Sequence, residues 1–68
     1  MLTIHLMDGT TVQHQAPCLV AQVLCGANRK WQNHSVHDDT VDGYNEARQT
    51  LEDLEAQGYE YARVECYT

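Results

Sequence analysis

The chain has little positive charge. Arginine and lysine together number four, against ten aspartates and glutamates, for a formal net charge of −6. That shortage argues against nucleic acid or an anionic membrane as the ligand, because both need basic side chains to neutralise their phosphates. Long apolar runs are missing as well. The longest mostly apolar stretch, "APCLVAQVLCGA", has 12 residues, well short of the ~20 that a helix needs to cross a bilayer. The opening "MLTIHLMDG" lacks the basic start and apolar centre of a signal peptide. Cysteine is sparse. Cys18, Cys25 and Cys66 are an odd number with no dense framework, which fits a reducing cytosol better than secretion. A single intermolecular disulfide stays open. No phosphate-binding glycine loop, oxyanion signature, repeat or low-complexity linker is visible.

Sixty-eight residues make one domain, 1–68. A chain this short buries only about 60% of its unfolded surface, so its stability is marginal. A deep catalytic cleft is hard to build on so little core, and oligomerisation or a partner is a common remedy. The expectation is a cytoplasmic protein that is not an enzyme and acts by binding, as a monomer or a homodimer.

What is present reads first as a hairpin. In "LTIHLMDGTTVQH", Leu2, Ile4 and Leu6 alternate with polar residues at the strand period of two. Asp8-Gly9 marks the turn. A two-residue loop would put Val12 on the wrong face. The three-residue loop Met7-Asp8-Gly9 pairs Leu6 with Thr10, Ile4 with Val12 and Leu2 with His14. It also places Gly9 at a left-handed bulge position, where glycine carries no steric penalty.

"APCLVAQVLCGAN" reads as a short helix, with Pro17 at its first position and Gly26 at its end. Leu19, Val20, Val23, Leu24 and Ala27 form one apolar stripe, and Cys18 and Cys25 fall opposite. A buried strand is the alternative, since short apolar runs are ambiguous. "NRKWQNHSVH" has no clear period and reads as a loop, with room for a short strand near Trp31. Asp39, Thr40 and Asp42 each fit an N-cap for the next helix, which runs to about Gln57 and stops at Gly58. Its apolar seam is Tyr44, Ala47, Leu51 and Leu54. "YEYARVECYT" closes as a strand, with Ala62, Val64 and Cys66 on one face and Tyr59, Tyr61, Arg63, Glu65 and Tyr67 on the other. The expected fold is α+β: an antiparallel sheet of the hairpin and the last strand, covered by two helices in the order β-β-α-α-β.

Metal and thiol chemistry are weakly supported. Cys18, Cys25, His34, His37 and Cys66 are potential ligands, but C-x6-C and H-x2-H depart from the usual zinc knuckle. On one helix the two cysteines would stand roughly 10 Å apart along the axis. Buried thiols and loop histidines are the simpler account. A Cys-His pair of Cys18 or Cys25 with His34 or His37 would be needed for thiol catalysis, and nothing in the sequence orders those residues. No catalytic residue, cofactor or metal is therefore expected. His5 and His14 lie on the hairpin, where a histidine satisfied by a neighbour is a simpler reading than a pH switch. Arg29, Lys30 and Trp31 could stack on a base, but a packing tryptophan beside two surface bases is simpler. Tyr59, Tyr61 and Tyr67 form either a small second cluster or an interface, where tyrosine is enriched.

Charge carries the strongest signal. Residues 38–65 hold nine acids and two bases, a net −7, while the first 37 residues hold one acid and two bases. At 100° per residue, Asp42, Glu46 and Asp53 fall within about 40° of one another, roughly opposite the seam. Glu52 and Glu55 flank the seam. Asp38 and Asp39 extend the charge before the helix, and Glu60 and Glu65 extend it into the last strand. Each acid alone is an ordinary solvated residue. The set is harder to explain, because a solvated helix usually intersperses both signs. Glu46 stands about 6 Å from Asp42 along the axis and Asp53 about 10 Å further, comparable to phosphate spacing on a DNA strand. Such a row could enter a groove built for a nucleic-acid backbone.

In size, acidity and compact α+β layout the chain resembles the small phage-encoded anti-CRISPR proteins that act as DNA mimics, in particular inhibitors of the type I surveillance complex, Cascade. The resemblance lies in the general character of the whole chain and rests on no motif, so no residue role is carried over from it. It implies a cytoplasmic location in a bacterial host, a basic nucleic-acid-binding partner such as a Cas subunit, and an inhibitor that binds no nucleic acid itself. The partner-binding candidates are Asp38, Asp39, Asp42, Glu46, Glu52, Asp53, Glu55, Glu60 and Glu65. The alternative is a small regulatory or structural subunit acting through a homodimer or another protein–protein interface.

Overall fold

The structure, a computed structural model, describes residues 1–25 and 29–68. Its elements are β1 (Leu2–His5), β2 (Thr11–His14), β3 (Cys18–Cys25), β4 (Lys30–Asp38), α1 (Val41–Ala56) and β5 (Tyr61–Tyr67). Among the described residues the fold is α+β with antiparallel sheets and one helix, in the order β-β-β-β-α-β. β1 and β2 form a two-stranded sheet, and β4-β3-β5 form a three-stranded one.

The hairpin has the register its pattern predicts, with Leu2 opposite His14 and Ile4 opposite Val12. The Leu6 N–H donates to the Thr10 carbonyl at 2.9 Å, and the Gly9 N–H donates to the Leu6 carbonyl at 3.1 Å. Gly9 has φ +93°, a conformation costly for any residue with a Cβ. Asp8 closes the loop by accepting from the Thr10 amide at 2.9 Å and from its hydroxyl.

The helix expected to start at Pro17 is, over Cys18–Cys25, instead β3, the centre of the larger sheet. Its apolar stripe had no discriminating power, because nearly every position there is apolar and any such run shows a helical stripe. β3 is covered on both faces: Cys18, Val20, Ala21 and Val23 are fully buried and Leu19 and Gln22 nearly so. A strand sandwiched in this way reads as a continuous apolar run rather than an alternation. The proposed helix end at Gly26, and Ala27 in its stripe, lie outside the described residues. The expected loop that follows is mostly β4, nine residues long. Its period is broken by a bulge: Ala21 pairs with Ser35 and Gln22 with Asn33, leaving His34 unpaired.

One face of β3 carries Cys18 and Val20, which pack with Ile4 of the hairpin, flanked by Leu2, Leu6, Val36 and Tyr67. The opposite face carries Leu19, Ala21 and Val23 and lies under α1, which buries Gly43, Ala47 and Leu54. The hairpin is tied to β4 by the Met7 N–H donating to the Asn33 carbonyl at 2.8 Å and by the Asn33 side chain donating to the His5 carbonyl at 3.0 Å.

α1 starts and stops where its signals place it. Thr40 is the N-cap and its hydroxyl accepts from the Gly43 amide at 3.0 Å. Gly58, at φ +103°, ends the helix: its N–H donates to Glu55 at 3.0 Å and the Tyr59 N–H donates to Leu54 at 3.2 Å. The buried side differs from the expected seam. Tyr44 is 46% exposed and Leu51 only partly buried, while Gly43 takes the place expected for Tyr44. Gly43 does more than punctuate the helix. A Cβ there would overlap the carbonyl oxygen of Asp38, so the helix meets the end of β4 by direct backbone contact.

Candidate partner-binding surface

α1 determines where most of the acids point. With the buried side centred on Gly43, Ala47 and Leu54, the row Asp42, Glu46 and Asp53 lies about 100° around the helix from it. The row is thus on a flank and not opposite the core. The flank faces β4, since Glu46 Oε1 stands 3.4 Å from His37 Nδ1. All three carboxylates are exposed. Asp53 also accepts from the Gln49 amide at 3.3 Å. Glu52 points most directly outward, rather than flanking the seam, and Glu55 lies on the flank away from β4.

No arginine or lysine reaches the row among the described residues. The one cation on α1, Arg48, lies over the Tyr44 ring at 6.0 Å from its centroid, on the far flank. Arg63 lies over the Trp31 ring at 4.0 Å. Its Nε donates to Gln22 Oε1 at 2.9 Å and stands 3.5 Å from Glu65. The carboxylates of the row are therefore not paired with an arginine or lysine among the described residues.

The remaining acids do not join one surface. Asp38 is held by His14, whose Nε2 bonds its Oδ1 at 2.7 Å. Glu65 sits on the hairpin face of β5, opposite Val20, beside Arg63. Asp39 is exposed between β4 and α1, and Glu60 is exposed between α1 and β5. Asp42, Glu46 and Asp53 form the coherent set, and Glu52 and Glu55 lie around the same helix.

His14 has its proton affinity raised by two neighbours. Its Nδ1–H donates to the Gln15 carbonyl at 2.8 Å, and its Nε2 faces the Asp38 carboxylate. The carbonyl first and the carboxylate second raise its pKa above the usual histidine value. Burial pushes the Cys18 thiol up, so it stays protonated and a poor nucleophile at neutral pH. Cys18 and Cys25 stand at the two ends of one strand, roughly 23 Å apart along it. Among the described residues no three His, Cys, Asp or Glu side chains gather.

A second polar cluster escaped the sequence reading. Gln22, buried in the centre of β3, donates to Asn33 at 2.9 Å and to the Tyr67 hydroxyl at 3.0 Å, and accepts from Arg63. Its signal was in view: one strongly polar side chain in an apolar run must find partners when buried. The cluster joins β3, β4 and β5, and with Trp31 stacked on Arg63 it covers the end of the sheet face beyond the hairpin core. Tyr67 is thereby part of the packing, while Tyr61 is 49% exposed. No protein-family model, curated protein or solved structure matches this chain.

Proposed function

We propose that the chain is a non-enzymatic acidic inhibitor that occupies a basic nucleic-acid-binding surface of a protein complex and excludes DNA by mimicry, in the manner of anti-CRISPR inhibitors of Cascade. One observation supports this most directly: Asp42, Glu46 and Asp53 are exposed on one flank of α1 with no arginine or lysine paired to them among the described residues. A rigid helix holds them, so little ordering entropy is lost when they meet cations already placed for phosphates. The self-repulsion is modest, roughly 0.7 kcal/mol for two charges 6 Å apart in water, and it is released on binding. Asp39, Glu52, Glu55 and Glu60 add long-range attraction. Asp38 and Glu65 contribute less, because each already faces an internal base.

The test is affinity capture on two baits, the wild type and an Asp42→Lys/Glu46→Lys/Asp53→Lys variant. A DNA-binding complex should bind the wild type alone and be released by salt and by added duplex DNA. Equal capture by both baits would remove the row from the account. Bare duplex DNA should not bind the wild type in a low-salt mobility-shift titration, since a mimic and its model repel each other.

A further inference from the structure

The two edges of the larger sheet are β4 and β5. β4 is a poor template for another strand. It carries the bulge at His34, and its Asn33 carbonyl is taken by Met7. β5 has none of these protections. It is seven residues long, "YARVECY", with no proline, glycine or lysine. Among the described residues its backbone groups bond only to β3. An unblunted edge of this kind is a ready site for strand addition.

The side chains of β5 select what could add there. Placed antiparallel to a copy of itself about Val64, the strand matches Arg63 with Glu65 of the second copy, and Glu65 with Arg63. Tyr61 meets Tyr67, Ala62 meets Cys66, and Val64 meets Val64. Opposite charges and aromatic pairs directly across an antiparallel ladder are the stabilising combinations. The match is also isologous, as a twofold axis requires. Arg63 and Glu65 are each partly exposed in one chain, with side-chain accessibilities of 42% and 44%. Arg63 leans across β3, held at Nε by Gln22 and lying over Trp31, so Glu65 of the second copy is the group that reaches over the edge toward it. We infer that β5 pairs with β5 of a second copy, giving a six-stranded sheet β4-β3-β5-β5-β3-β4.

The geometry leaves the helix flanks separated by role. The twofold runs through the sheet, so both helices lie on one face. The acidic row faces β4, as the Glu46–His37 contact shows, and so lies away from the joined edge. The flank toward β5 carries Tyr44, Arg48 and Glu55. A dimer would thus present two acidic rows at its outer margins. The inference does not depend on what those rows bind.

Sedimentation equilibrium under reducing conditions, from micromolar to millimolar protein, tests it. The wild type should show a reversible monomer–dimer equilibrium. Glu65→Arg sets Arg63 against an arginine twice per dimer and should weaken association at least about tenfold. Arg63→Glu should do the same with carboxylates. An equimolar mixture of the two variants restores both opposite-charge pairs in a heterodimer and should recover association near the wild-type level. Arg63 also packs on Trp31 and Gln22, so if Arg63→Glu fails to fold, Glu65→Arg alone decides. Its only ionic contact among the described residues is Arg63. A wild type that stays monomeric throughout, or a dimer indifferent to Glu65→Arg, would overturn the inference.

Discussion

The buried side of α1 and its flank toward β4 are separated by about a quarter turn, yet they differ in every physical respect. On the buried side, Gly43, Ala47 and Leu54 are small or apolar, and Ala47 and Leu54 are in full contact with the sheet. On the flank, Asp42, Glu46 and Asp53 are exposed, and among the described residues their carboxylates bond only to His37 and Gln49. The first set holds the helix to the domain. The second set leaves its charge exposed. On the proposed function one helix thus divides between folding and binding, and substitutions should divide in the same way.

The largest effect belongs to the buried side. Leu54 is 1% exposed and is also the carbonyl that ends the helix. Leu54→Ala should cost about 2–5 kcal/mol, read from urea or thermal unfolding. Gly43→Ala should follow. Alanine favours a helix over glycine by about 1 kcal/mol, but its Cβ would overlap the Asp38 carbonyl. Overpacking of this kind costs about 1–3 kcal/mol, so the net change should be destabilising. A more stable Gly43→Ala protein would mean that α1 does not meet β4 in this way.

Asp38 sharpens the contrast from the other direction, as an acid the fold itself uses. His14 has a raised pKa when folded, through Gln15 and then Asp38. Its contribution is fully present below the unfolded histidine value, about 6.5, and is lost as pH rises through the higher folded value. Stability should therefore decline slightly across that window. Asp38→Asn keeps the Gln15 bond, the larger cause, and should flatten the decline in part. An unchanged slope would leave Asp38 out of the account and assign the decline to the Gln15 bond or to another group.

These contrasts also show what the sequence made legible. The hairpin was readable to its register, because alternation fixed the faces and Asp8-Gly9 fixed the loop. α1 was readable at both ends, because Thr40 and Gly58 are local signals with local geometry. β3 was not, since a strand buried on both faces loses its period and looks like one side of a helix. β4 was not, because an edge strand with polar residues on both faces, broken at His34, shows no period at all. The acidic row was legible as a set, but its direction was misjudged by about 40°. Tyr44 looked like a core residue, and nothing local announced that Gly43 would be pressed against Asp38. The cluster around Gln22 joins three strands distant in sequence, so only the topology assembles it.

The sharpest test of the division is the Asp42→Lys/Glu46→Lys/Asp53→Lys variant in competition with labelled duplex DNA for the captured complex. The variant loses only the weak His37 and Gln49 contacts, and exposed pairs of that kind are worth about 0–1 kcal/mol. Losing the acid near the helix start costs a similar amount. Relief of the repulsion between the row and the other acids offsets part of these losses, so the variant should stay folded and melt within about 10 °C of the wild type. At the partner, each carboxylate that met a cation becomes a like charge, at a cost of several kcal/mol. The account predicts a folded variant that no longer displaces DNA. A folded variant that displaces DNA as well as the wild type does would contradict it.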